Sequence, residues 1–66
     1  MRARKYPVMI ETNGGKIAAG MSASSSSTPV EVSLALKEKG WTAYRVQFDL
    51  ADSVWVARVI DWGLSA

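Results

Sequence analysis

The sequence predicts an α+β fold with two antiparallel β-hairpins and one helix between them (ββαββ), the helix packed on the sheet. Three observations support this prediction. Asn13-Gly14 separates two alternating segments, helix-capping residues surround a short amphipathic stretch that begins at Pro29, and aromatic and β-branched residues crowd the last third of the chain. The alternative is an all-β five-stranded meander or small barrel in which residues 29 to 37 form the third strand.

The first hairpin is expected over residues 6 to 21. Asn-Gly is the strongest short hairpin signal, because both residues accept the positive φ angles of a tight two-residue turn. With Asn13-Gly14 as the loop, Ile10 faces Ile17, Val8 faces Ala19 and Tyr6 faces Met21. These six side chains form the more apolar face. The serine-rich residues 22 to 28 then make a link that buries little.

The helix is expected over residues 29 to 39, because the residues at both of its ends are typical helix caps. Thr28 is a suitable N-cap, Glu31 completes a capping box, and Gly40 supplies a C-terminal stop. Within the segment, however, Val30, Val32, Leu34 and Leu36 alternate with other residues at the period of a strand. This alternation is the reason for keeping the all-β alternative.

The second hairpin is expected over residues 41 to 62, with Ala51-Asp52 in its loop. Pairing Phe48 with Trp55 and Val46 with Ala57 produces a wholly apolar face, whose members are Tyr44, Val46, Phe48, Leu50, Trp55, Ala57 and Val59. A slip by one residue would place Arg58 among them, so the pattern selects this register. The opposite face is mixed, with Arg45 across from Arg58 and Trp41 across from Trp62.

Composition excludes several classes of function. The chain has 66 residues, no Cys and no His, so it has no disulfide, no thiolate metal site and no histidine base. Sequence spacing brings no two carboxylates together. We therefore expect a single domain over residues 1 to 66, with no enzymatic activity, no cofactor and no metal. No apolar run approaches the roughly 20 residues that span a bilayer, and we expect a cytoplasmic protein without membrane partners.

The mixed face of the second hairpin is the candidate site for binding another protein. A solvent-facing sheet surface is normally more polar than this one, and a short chain without disulfides gains stability from association. We expect a small protein-interaction module, homo-oligomeric or regulating a larger protein partner. The candidate residues are Trp41, Arg45, Val54, Val56, Arg58, Ile60 and Trp62.

Nucleic-acid binding is the alternative function. The basic N-terminal arm, residues 1 to 5, carries Arg2, Arg4 and Lys5, and the sheet adds Arg45 and Arg58. Arginines beside aromatic platforms are typical of proteins that bind single-stranded nucleic acid. No RNA-binding sheet motif, KH loop or zinc finger supports the alternative. Residues 63 to 66 are expected to form a short tail.

Overall fold

A computed structural model describes residues 4–59, which form four strands and one helix. In chain order these are β1 (Lys5–Thr12), β2 (Gly15–Ser24), α1 (Pro29–Glu38), β3 (Arg45–Asp49) and β4 (Val54–Arg58). The strands make one mixed sheet in the order β2-β1-β4-β3, and α1 packs on it. The predicted α+β class is confirmed.

The finer prediction of two separate hairpins needs correction. β1 and β4 pair in parallel at the centre of the sheet, with Val8 opposite Trp55 and Ile10 opposite Ala57. This pairing joins the two antiparallel strand pairs into a single four-stranded sheet. The all-β alternative is wrong, because residues 29 to 38 are helical.

Both ends of α1 explain why the helical signals prevailed over the strand-like alternation. The Thr28 hydroxyl accepts a hydrogen bond from the backbone N–H of Glu31 at 3.1 Å, and the Glu31 carboxylate accepts one from the Thr28 N–H at 2.9 Å. At the other end, Gly40 has φ +96°. The N–H groups of Gly40 and Trp41 donate to the carbonyls of Lys37 and Leu36, which is a Schellman motif. Lys39 is the C-cap, so the helix ends one residue before the predicted boundary.

The hydrophobic core lies between α1 and one face of the sheet. Its buried members are Val8, Ile10, Val32, Leu36, Trp55, Ala57 and Val59. Phe48 packs edge-to-face on Trp55 with ring centroids 5.4 Å apart, and Tyr6 packs on Phe48 at 5.1 Å. Full burial of such side chains stabilises the fold by about 1.5–3 kcal/mol each relative to exposure. The core is therefore shared by helix and sheet, and it lies on one side of the sheet only.

The predicted strand registers are confirmed for the residue pairs nearest to both turns. Phe48 opposes Trp55 and Val46 opposes Ala57, while Ile10 opposes Ile17. Farther from the first turn the β1–β2 register shifts between Pro7 and Met9, so Tyr6 opposes Ala23 instead of Met21 and the Val8–Ala19 pair is absent. Gly20, with φ +80°, lies within the bulged part of β2.

The second strand is also longer than predicted. β2 continues through Ser24, so residues 22 to 24 of the predicted link belong to the strand. The indole N–H of Trp55 donates to the Ser24 carbonyl at 3.2 Å, which ties the end of this strand to the core.

Candidate functional site: the open face of the sheet

The face of the sheet opposite α1 is the candidate site, and we call it the open face. Side chains alternate along a strand. Because Val8, Ile10, Trp55 and Ala57 point toward the helix, their sequence neighbours point away from it. The open face carries Lys5, Pro7, Met9, Glu11, Lys16, Ala18, Ser22, Ser24, Arg45, Gln47, Asp49, Val54, Val56 and Arg58. No helix or strand within residues 4–59 covers it.

The strand registers arrange these side chains in rows across the sheet. One row, read from β2 to β3, is Lys16, Glu11, Arg58 and Arg45. The next row is Ala18, Met9, Val56 and Gln47. Val54 adds a further apolar side chain beyond that row. The open face therefore has an apolar centre, and its end nearest the Asn13-Gly14 turn carries three cations and one anion.

Arg58 is the best-connected residue of the charged row. Its guanidinium lies 3.3 Å from the Glu11 carboxylate, and its Nε donates to the Tyr44 hydroxyl at 3.1 Å. The hydrogen bond with Tyr44 and the charge of Glu11 raise the pKa of Arg58 above its ordinary value. Arg45 lies directly across from Arg58. Glu11 therefore offsets part of a like-charge pair that would otherwise destabilise the ladder.

A shallow depression of about 240 Å³ lies beside this row, lined by Glu11, Arg45, Gln47, Val56 and Arg58. Its volume is below the range of about 300–1,000 Å³ that is typical of small-molecule sites. Its polar groups are two guanidiniums, an amide and one carboxylate. This set can hold a carboxylate or another hydrogen-bond acceptor of a larger partner, and it pairs no nucleophile with a base.

The structure places the sequence-derived candidates in three groups. Arg45, Val54, Val56 and Arg58 lie together on the open face, as the alternation indicated. Arg4 precedes β1 and is exposed. Lys5 begins β1 six residues from Glu11, which is about 20 Å along the strand at 3.3 Å per residue. Arg2, Ile60 and Trp62 lie outside the described residues.

Two candidate placements need correction. Trp41 follows the helix C-cap and packs, half-buried, against the core, so it does not belong to the open face. Tyr44 was expected on the inward face, but it is 59% exposed and its hydroxyl bonds Arg58. Both residues precede Arg45, the first residue of β3, so strand alternation does not apply to them.

Sequence reasoning missed the contribution of β1 to this site. Met9 and Glu11 join Val56 and Arg58 only because β1 and β4 pair in parallel. The alternation of Met9 and Glu11 with the buried Val8 and Ile10 was a usable signal for their face. Nothing in local sequence indicated which strand would lie beside them.

Comparisons with known proteins give no relative from which a function could be transferred. No family model, no curated protein and no solved structure matches this chain.

Within residues 4–59, no three side chains from His, Cys, Asp or Glu are grouped to hold a metal ion. In the same part of the chain, no helix is long and apolar enough to cross a membrane.

Proposed function

We propose that this protein is a small non-enzymatic interaction module whose open face binds another protein, either a second copy or a larger partner that it regulates. The observation that carries the proposal is the apolar centre of a sheet face without cover in the described structure. Met9, Val54 and Val56 form that centre. All three are intermediate in exposure, neither buried nor fully exposed.

The layout of the open face matches the anatomy of a protein interface. Such interfaces combine an apolar centre, depleted of charge, with a polar rim that remains accessible. Here the apolar row lies beside the charged row of Lys16, Glu11, Arg58 and Arg45. The excess of cations in that row favours a partner with carboxylates opposite it, because complementary charge guides encounter and orientation.

A crosslinking experiment identifies the partner directly. A photoreactive amino acid at Val56, in the centre of the open face, is compared with the same residue at Leu50, which is 83% exposed in the β3–β4 loop. The protein captured only from position 56 is then purified and titrated against Val56→Lys and Leu50→Lys. Truncating or charging a central interface residue costs about 1–3 kcal/mol, or roughly tenfold to a hundredfold in affinity.

The proposal predicts that Val56→Lys weakens binding by at least about tenfold and that Leu50→Lys leaves it unchanged. Circular dichroism of both variants checks that each is folded. Equal binding by the two variants, or crosslinks of equal yield from positions 56 and 50, would show that the open face is not the binding surface.

Nucleic-acid binding is the second candidate, supported by one observation. Arg45 and Arg58 are neighbours on the open face, and Lys5 lies on the same face. Two features weigh against it: Glu11 lies within the charged row, and Trp41, the expected stacking platform, packs on the core. A gel-retardation assay at low salt is the test. Binding that weakens steeply with salt and is reduced in Arg45→Gln would favour this candidate over a protein partner.

A further inference from the structure

The second notable surface is the free edge of β3, which we call the β3 edge. β3 bonds β4 on one side and has no described strand on the other. Just after β4, the N–H of Val59 donates to the Glu11 carbonyl in β1, so Trp55 and Ala57 of β4, like Val59, direct their backbone groups toward β1. The other residues of β4 bond β3. By the register of this pair, the backbone N–H and C=O of Val46 and Phe48 point outward from the sheet.

The sequence along this edge is complementary to itself. The strand reads Arg45-Val46-Gln47-Phe48-Asp49. When two copies pair antiparallel about Gln47, Arg45 of each copy lies opposite Asp49 of the other, and Val46 lies opposite Phe48. The outward backbone groups of Val46 and Phe48 then meet as hydrogen-bonded pairs. Opposite charges and apolar pairs directly across a ladder are stabilising, and a two-fold interface requires this kind of reciprocity.

Exposed apolar side chains border the same edge. α1 lies over β3. On its surface Val30 is 66% and Leu34 58% exposed, and Val30 lies beside Tyr44, which is 59% exposed. A groove of about 170 Å³ runs between helix and strand, lined by Pro29, Val30, Ser33, Ala43, Tyr44, Arg45 and Val46. Isolated exposed apolar residues are ordinary, but a group of them beside a free strand edge marks an interaction site.

From these three observations we propose that a second copy of this chain pairs with the β3 edge, forming a two-fold dimer with one continuous eight-stranded sheet. The two helices then lie on the same face of the sheet, and Val30, which lines the groove beside β3, faces the other copy. The opposite edge of the sheet is less suitable, because the bulge near Gly20 in β2 disrupts regular pairing. This inference goes beyond the proposed function, because it names a second copy of this chain as a partner and places it on a different surface.

The test is the mass of the full chain in solution, measured by light scattering over a dilution series. We expect a dimer that dissociates on dilution. Arg45→Asp and Asp49→Arg each place like charges opposite each other twice in a homodimer, and each is expected to raise the dissociation constant by at least about tenfold. In a heterodimer of the two variants, every pair between positions 45 and 49 again joins an acidic side chain to a basic one. Mixing the variants in equal amounts is therefore expected to restore the dimer.

Two further variants separate this surface from others. Val30→Lys is expected to give a monomer, and Leu50→Lys, the matched change in an exposed loop, leaves the dimer intact. Asp49 also accepts hydrogen bonds from the N–H groups of Ala51 and Asp52, so circular dichroism must show that Asp49→Arg is folded. If it is not, the comparison of Val30→Lys with Leu50→Lys decides whether the β3 edge forms the dimer.

The outcomes for the two proposals are distinguishable. A wild-type monomer at every concentration overturns the β3 edge dimer, while partner binding that depends on Val56 would still support the interaction module. A dimer that survives Arg45→Asp and Val30→Lys but is lost in Val56→Lys overturns the β3 edge and assigns self-association to the open face. Restoration by mixing supports the β3 edge directly.

Discussion

Leu34 and Leu36 lie two residues apart in α1 and provide a sharp test of its orientation. Leu36 is fully buried and Leu34 is 58% exposed. Leu36→Ala removes a core side chain and leaves a cavity, at a cost of about 2–5 kcal/mol. Leu34→Ala removes a side chain that is mostly in water, and Ala is a slightly better helix former, so its effect stays within about 0.5 kcal/mol.

The assay is urea unfolding followed by far-UV circular dichroism, at a dilution where light scattering shows only monomer. A single core of this size supplies no more than about 3–5 kcal/mol of stability, so Leu36→Ala is expected to remove half of it or more. If this segment were a strand, Leu34 and Leu36 would lie on the same face. Replacing either one by Ala would then lower the free energy of unfolding by the same amount. Equal losses for the two variants would therefore refute the helical packing described here.

Three other substitutions test the N-cap of α1, its C-terminal stop and the hydrogen bond that joins Trp55 to β2. Thr28→Ala removes the helix N-cap and should lower the free energy of unfolding by about 1 kcal/mol, whereas Thr28→Asn should stay close to wild type; equal losses would exclude a capping role. Gly40→Ala should lower the free energy of unfolding by about 1–2 kcal/mol. This cost comes from the positive φ alone, because a Cβ there meets nothing within 4 Å. A Gly40→Asn variant that is no more stable than Gly40→Ala would contradict this explanation. Trp55→Phe removes the donor to the Ser24 carbonyl and core volume, and thermal melting should show a loss of about 2 kcal/mol; an unchanged melting temperature would mean that Trp55 does not anchor β2.

The sequence predicted the features that depend on interactions between residues close together in the chain. Thr28, Glu31 and Gly40 define the ends of α1 through hydrogen bonds that span a few residues. The register of β3 and β4 follows from the apolar face that includes Phe48 and Trp55, since a one-residue slip would bury a charge. These features were predictable because each depends on residues that are close in sequence.

The parallel pairing of β1 with β4 had no comparable local signal. It brings together Ile10 and Ala57, and no turn motif encodes a contact at that separation. The bulge in β2 did have a signal, because an isolated Gly20 inside a strand pattern suggests one, and it accounts for the shifted position of Tyr6.

For the candidate site, alternation placed Arg45, Val56 and Arg58 on the same face from sequence alone. The contributions of Met9 and Glu11 depended on the unpredicted parallel pairing. Tyr44 was misplaced because the hairpin was expected to begin at residue 41, whereas β3 begins at Arg45. Residues whose position depends on strand pairing or on the exact strand end were therefore the ones that sequence reasoning missed.

The central parallel pairing also determines when the chain can fold during synthesis. Val8 and Ile10 are made 47 residues before their partners Trp55 and Ala57. Until β4 emerges, the first strand pair and the helix have no complete core to pack on. Folding must therefore wait for nearly all of residues 4–59, and closing so long a loop before its contacts form makes folding slower than in a helical chain of equal length.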